Sequence, residues 1–182
     1  INQDAPGSGS RQSLNAQLDY ERPLLTEKGK LEAGAKSQLF YFQSENNPII
    51  DSAGTNADVD LTLLNSYDYT QQIYAAYTSF KDQQGKFRYQ LGLRAEYAYY
   101  EGTNEQVGGK RYSNEFLNLF PSVFTSYELP KEQSIYLNYS RRTNRPPFWQ
   151  LLPYVDLSNP QDTSAGNPDL VPEFIHNIEL SY

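Results

Sequence analysis

The chain contains no cysteine, so disulfide bonds and thiolate metal sites are excluded. It also lacks any run of 18 apolar residues, so no transmembrane helix is predicted. Basic residues are few, since 15 Lys and Arg against 22 Asp and Glu give a formal net charge of −7. This balance argues against nucleic acid as a partner, because phosphate binding needs clustered cations. Membrane-spanning strands are not excluded, since each needs only about 9–11 residues of alternating polarity.

Aromatic residues make up 14% of the chain, and 16 of them are tyrosines. Tyrosine favours strands, and it also suits membrane interfaces because its ring is apolar and its hydroxyl can stay in water. The composition therefore favours an all-β protein.

Alternation of apolar and polar residues predicts seven strands. The clearest lies at about 86–99, with Leu91 and Leu93 on one face and Arg94 and Glu96 on the other. The other strands are predicted at about 13–21, 30–43, 69–81, 115–129, 133–142 and 174–182. In the 69–81 segment the pattern does not decide which face is apolar. Ile73, Ala75 and Tyr77 would form one apolar face, and Tyr74, Ala76 and Phe80 would form the other. Pro121 removes a ladder donor and predicts a bulge or bend.

The connections between these strands alternate between short and long. Short turns are predicted at Pro23–Gly29, Asp82–Gly85 and Pro130–Glu132, and long loops at about 44–68, 101–113 and 143–173. Transmembrane barrels show this segregation because periplasmic turns are short and extracellular loops are long. We expect an antiparallel up-and-down meander of about seven strands that forms part of a larger transmembrane β-barrel. A soluble all-β module would show the same alternation of faces, so that alternative stays open.

Several motifs resemble TonB-dependent outer-membrane receptor barrels, especially the outer-membrane β-barrel family common in Bacteroidetes-type bacteria. The resemblance is carried, in order, by Asp19-Tyr20 with Pro23, Gly92-Leu93-Arg94, Phe120-Pro121-Ser122, Arg145-Pro146 and Gly166-Asn167-Pro168 running to Pro172-Glu173. It implies a barrel in the Gram-negative outer membrane, with lipid around it. It further implies uptake of a nutrient ligand energised by the TonB system through a plug domain, with a surface lipoprotein as a further partner.

The plug is not visible in this chain, which begins at Ile1 without an apolar leader. Single-chain bacterial barrels have at least eight strands, usually an even number. We therefore expect residues 1–182 to be an incomplete barrel domain from the central or late part of a longer protein.

Candidate sites are few, and no catalytic residue, cofactor or metal site is predicted. His176 is the only histidine and is predicted to face outward with Ile178 and Leu180, although a barrel hydrolase would need such a residue. Asp51, Asp58 and Asp60 share a loop, but their spacing matches no calcium-binding pattern.

The closing loop supplies the ligand-contact candidates Arg141, Arg145, Trp149 and Tyr154. Arg141, Arg142 and Arg145 are expected to pair with Asp156, Asp162 or Glu173 and hold the loop; steering an anionic ligand is the alternative. Phe148, Trp149 and Tyr154 are expected to form an aromatic girdle or pack the loop onto the outer rim, although they could also stack on a sugar. The leading hypothesis is a non-enzymatic transport barrel, and the alternatives are a soluble glycan-binding module and a barrel enzyme.

Overall fold

The computed structural model describes residues 2–4, 7–24, 28–46, 49–51, 65–104, 110–151, 155–156 and 164–182. Its elements, in chain order, are β1 (Asn2–Asp4), β2 (Gly7–Pro23), β3 (Lys30–Asn46), β4 (Ile49–Asp51), β5 (Asn65–Gln84), β6 (Phe87–Asn104), β7 (Lys110–Glu128), β8 (Ser134–Asn144), α1 (Phe148–Leu151), β9 (Val155–Asp156), β10 (Ser164–Ala165) and β11 (Glu173–Ser181).

Seven of these strands form one antiparallel sheet, in the order β11-β8-β7-β6-β5-β3-β2. Each long strand pairs with its neighbour in the chain, which confirms the all-β meander. β1 pairs with β4 and β9 with β10 in two small ribbons. Within the described residues the sheet is open, because β2 and β11 are edges that do not pair with each other. No helix among the described residues is long and apolar enough to cross a membrane.

One face of the sheet is apolar from edge to edge, and we call it the outer face. Directly opposed residues in an antiparallel pair point to the same side, and the register aligns Leu18 with Ala35, Ala76, Ala95 and Leu119. This alignment answers the question left open for β5: Tyr74, Ala76 and Phe80 lie on the outer face, and Ile73, Ala75 and Tyr77 lie on the opposite, inner face.

The apolar side chains of the outer face are strongly exposed, with Leu18 and Leu180 each at 75% and Leu117 at 74%. A continuous exposed surface of this kind is unfavourable in water, at about 25 cal/mol for each Å² of apolar area. The inner face carries the charges predicted for it, including Arg88, Arg94 and Glu96. The sheet therefore has the polarity of a barrel wall, with lipid outside and a polar interior.

Two rows of aromatic residues bound the apolar part of the outer face. The row nearer the short turns contains Tyr20, Phe80, Phe87, Tyr89 and Tyr127, and the row nearer the long loops contains Tyr41, Tyr74, Tyr97, Tyr99 and Tyr139. Just beyond the second row, rim acids accept hydrogen bonds from tyrosine hydroxyls: Glu115 from Tyr97 at 2.8 Å and Glu101 from Tyr99 at 2.5 Å. Rings toward the apolar band and hydroxyls toward polar groups are the arrangement of membrane-interface girdles.

The first row runs diagonally across the sheet. Tyr20 on β2 is level with Leu93 on β6, whereas Tyr127 on β7 is level with Phe87, a descent of 93 − 87 = 6 residues over four strand-to-strand steps. Each residue advances about 3.3 Å along a strand, and neighbouring strands lie about 4.8 Å apart. If the row lies parallel to the membrane plane, the strands are therefore tilted by about 45° from the membrane normal. Barrel strands in membranes are tilted by about 35–45°, so the row is close to level in the membrane.

The β6–β7 connection is shorter than predicted. We expected a long loop at about 101–113, but the ladder continues to Asn104 and Lys110. The prediction was wrong because residues assigned to the loop, such as Glu101, Gly102 and Tyr112, pair across the two strands. The connections that follow β3 and β8, at 47–64 and 145–172, are long as predicted.

Pro121 does not produce the predicted bulge, since it pairs in regular register with Leu93 on β6. On its other side, however, the β7–β8 ladder begins only at Ser122, opposite Ser140. Beyond Ser140, β8 pairs only with β11, because Pro121 has no N–H to donate toward β8. The proline thus marks the point where the β8–β11 hairpin separates from the rest of the sheet.

Candidate functional site on the inner face

The connection that follows β8 folds onto the inner face. We call two of its described stretches, 145–151 and 166–172, the covering segment. Leu151, at the end of α1, is 5% exposed and packs in a cluster with Tyr69, Ile73 and Tyr100 of β5 and β6. Burying a leucine side chain is worth about 1.5–3 kcal/mol. The covering segment is therefore held on the sheet by apolar packing as well as by the polar contacts below.

An ion-pair network fixes the start of the covering segment. Glu96, a buried residue in the middle of β6, accepts hydrogen bonds from Nε and Nη2 of Arg94 at 3.2 and 2.9 Å. Its other carboxylate oxygen pairs with the guanidinium of Arg145. One carboxylate thus binds two guanidinium groups, which suits a buried acid because a lone charge there would be costly.

The Gly-Asn-Pro turn at 166–168 holds the second stretch of the covering segment in place. The amide nitrogen of Asn114, on the inner face of β7, donates to the Pro168 carbonyl at 2.7 Å. Asn167 donates its backbone N–H to the Gln150 carbonyl at 2.6 Å and accepts from the N–H of Asp169 at 2.9 Å. These contacts tie both ends of the segment to each other and to β7, part of the edge that β8 leaves unpaired.

Arg141 closes the gap between the separated hairpin and β7. Its Nη1 donates to the Leu119 carbonyl at 3.2 Å, and its guanidinium carbon lies 4.1 Å from the centre of the Phe174 ring. The ring of Phe174 in turn approaches Phe120 at 6.5 Å. Arg141 therefore donates to a carbonyl on the edge of β7, that of Leu119, where β8 no longer pairs with β7.

A polar cavity of about 460 Å³ lies on the inner face, next to Arg94 of the ion-pair network. Most of the residues that line it belong to three successive inner-face rows, each made of residues that lie opposite one another on neighbouring strands. They include Gln17, Asp19, Lys36, Tyr77, Gly92, Arg94, Phe120 and Ser122. The cavity exists because the residues of its floor are small. A Cβ added at Gly92 would collide with the Ser122 hydroxyl.

A tyrosine crosses the sheet beside this cavity. Tyr77 on β5 reaches over Gly34 on β3, and its hydroxyl donates to Asp19 on β2, which also accepts from Gln17 at 2.9 Å. A Cβ on Gly34 would come within 2.5 Å of the Tyr77 ring, so only glycine permits this crossing. The guanidinium carbon of Arg94 then lies 5.7 Å from the centre of the same ring.

The structure places two of the four predicted ligand-contact residues in different surroundings. Arg145 lies on the inner face in the Glu96 network, and Arg141 contacts β7 and Phe174. Among the described residues neither arginine pairs with Glu173, whereas Asp162 and the side chain of Asp156 lie outside the described residues, so pairing with those two acids stays a prediction. The backbone of Trp149 lies in α1, and Tyr154 lies outside the described residues.

Four residues of this site were not predicted from the sequence: Lys36, Tyr77, Arg94 and Glu96. The signal available in the sequence was glycine inside strands, at Gly34 and Gly92, since such glycines often mark a close approach of other groups.

The structure places only some of the other candidate residues. His176 faces outward, as predicted, and its Nδ1 lies 3.0 Å from the Tyr139 hydroxyl. Asp51 lies in β4, whereas Asp58 and Asp60 lie outside the described residues. No group of three His, Cys, Asp or Glu residues able to hold a metal occurs in the part of the chain that the structure describes.

An open meander with a lipid-type outer face, two aromatic girdles and a polar inner face defines a segment of a membrane β-barrel. The model of the outer membrane protein beta-barrel family matches residues 1–182, so the chain belongs to that family and is located in the outer membrane. A comparison with curated proteins found no match.

Proposed function

We propose that this chain is barrel wall from a TonB-dependent receptor-like protein that takes up a nutrient ligand across the outer membrane. The observation that carries the proposal is the covered inner face. A diffusion pore needs an unobstructed wet interior, whereas here Leu151 and Arg145 hold a segment of the chain against the wall. A covered interior suits a receptor in which passage requires an energised step.

The motif resemblance supports the same proposal. Arg145-Pro146, which resembles the receptor barrels, begins the first stretch of the covering segment, and Gly166-Asn167-Pro168, which also resembles them, begins the second. Within the proposal, a plug domain outside this chain transmits energy from the TonB system, and a surface lipoprotein is a further partner. The barrel carries out no bond chemistry, in keeping with the outward-facing His176.

Uptake by whole cells tests the proposal. Strains with and without the full-length gene are grown on a mixture of nutrients at limiting concentration, and the medium is followed by mass spectrometry. We expect one class of compound to be depleted only when the gene is present. A strain that also lacks the TonB protein should bind this compound at the cell surface without depleting it.

Two results would contradict the proposal. Equal depletion without TonB would indicate a passive pore. Recovery of the full-length protein from cells as a soluble monomer, without detergent, would restore the alternative of a soluble binding module.

A further inference from the structure

The polar cavity on the inner face lies at the middle of the membrane. Its central residues Tyr77 and Arg94 are directly opposed on β5 and β6, and Lys36 on β3 lies one inner-face position further toward the long loops. The adjacent outer-face residue on β6, Leu93, lies between the two aromatic rows at Tyr89 and Tyr99. Ionisable groups at this depth face the interior of membrane proteins and mark the paths of substrates or ions.

The charge beside the cavity is positive, although the chain as a whole is negative. Lys36, Arg94 and Arg145 carry three positive charges against two negative charges on Asp19 and Glu96, a local balance of +1 on a chain of −7. Within the described residues, Lys36 has no carboxylate at salt-bridge distance. The ammonium group of Lys36 is thus left to bind something other than a neighbouring acid.

The second cation is held in a defined position. Two N–H groups of Arg94 bind one oxygen of Glu96, and its guanidinium lies over the ring of Tyr77. Tyr77 is itself held by Asp19 across Gly34. Asp19 is therefore occupied in supporting the ring and does not neutralise Lys36. Pre-positioned cations of this kind bind anions with little loss of side-chain entropy.

We propose that Lys36 and Arg94 form a binding subsite for an anionic group, a carboxylate or a phosphate, of the ligand that passes through the barrel. The rings of Tyr77 and Phe120 and the hydroxyl of Ser122 line the same cavity and contact the remainder of the ligand. The volume of about 460 Å³ suits one small organic group. This inference rests on the proposed function, because it names the chemistry of the transported compound.

Calorimetric titration of the full-length protein, purified in detergent at low salt, tests the subsite. Citrate probes for carboxylate recognition and pyrophosphate for phosphate recognition. We expect binding of one of them, weakened at least about tenfold in Lys36→Gln, because a charge-assisted hydrogen bond contributes about 1.5–3 kcal/mol. Lys36→Arg, which keeps the charge, should bind within about threefold of the unaltered protein.

Arg88→Gln is the matched control. Arg88 is an inner-face cation near the short turns and pairs with Glu128, outside the cavity. Its loss should leave the affinity unchanged within about twofold. Heat-modifiable migration on a gel verifies that each variant is folded. Failure of the unaltered protein to bind either probe, or equal affinity in a folded Lys36→Gln variant, would overturn the subsite.

The two proposals fail separately. Uptake that depends on TonB, together with unchanged anion binding in Lys36→Gln, would overturn the subsite and leave the proposed function. Weakened binding in Lys36→Gln, together with depletion that does not need TonB, would overturn the energised uptake and leave the subsite.

Discussion

An arginine placed on the outer face of β6 should destabilise the barrel according to its depth in the membrane. Leu93 lies between Tyr89 and Tyr99, which are separated by about 33 Å along the strand, or about 23 Å of membrane depth at a 45° tilt. This height is close to the apolar band of about 25 Å in outer-membrane barrels. Because Leu93 is 46% exposed on this face, its replacement would direct a charge into hydrocarbon.

We expect Leu93→Arg to lower the free energy of unfolding by about 2–4 kcal/mol, the cost of arginine near the bilayer midplane. That corresponds to a decrease of roughly 30- to 700-fold in the folding equilibrium constant. Thr103→Arg, on the same face but beyond the aromatic row, should cost only about 0–1 kcal/mol. Gln90→Arg, on the inner face of the same strand, should cost little because it meets water and polar groups.

The measurement is a guanidinium titration of the full-length protein in lipid vesicles, with the folded fraction read from heat-modifiable migration. The ranking of the three variants tests the assignment of the faces. If Leu93→Arg cost no more than Thr103→Arg, or if Gln90→Arg cost as much as Leu93→Arg, the outer face would not be the lipid-facing one.

Two further predictions concern the inner face. Gly34→Ala should displace Tyr77 and remove its hydrogen bond to Asp19, which should lower the free energy of unfolding by about 1.5–3 kcal/mol in the same titration. The double variant Gly34→Ala with Tyr77→Phe should lose clearly less free energy than the two single variants added together. If the two losses added in full, the crossing of Tyr77 over Gly34 would be contradicted. Glu96→Gln should release the covering segment, because Arg145 loses its carboxylate. Hydrogen exchange of peptides from 145–151 should then become faster while peptides from the β2–β3 ladder stay unchanged, and equal exchange at 145–151 would show that the ion pair does not hold the segment.

The strands and their faces were largely predictable from the sequence. Period-two alternation placed Leu14, Leu18, Leu91, Leu93 and Leu117 on one face, and the structure confirms each of them. Where alternation was ambiguous, at Ile73 and Tyr74, the answer came from the neighbouring strands. Ala76, on the same face as Tyr74, pairs with Ala35 and Ala95, and this alignment assigns Tyr74 to the outer face.

The site was not predictable to the same degree. Arg145 and Glu96 lie 145 − 96 = 49 residues apart, and nothing in either local sequence indicates that they meet. Leu151 and Leu170 lie in an irregular segment without a period, so their burial against the inner face left no sequence pattern. The motif around Arg145 suggested the correct family but gave no indication that its guanidinium pairs with Glu96 on the inner face.

The amino-acid pattern was enough to assign the apolar side of most strands, because successive side chains of an extended backbone point to opposite faces. It also predicted which strands are antiparallel neighbours across the short turns, namely β2 with β3, β5 with β6 and β7 with β8. Which residues lie opposite one another became known only from the fold, because register depends on pairing between strands. That register brings Lys36, Tyr77 and Arg94 to one cavity, and the missing N–H of Pro121 marks the point where the closing hairpin separates from the sheet.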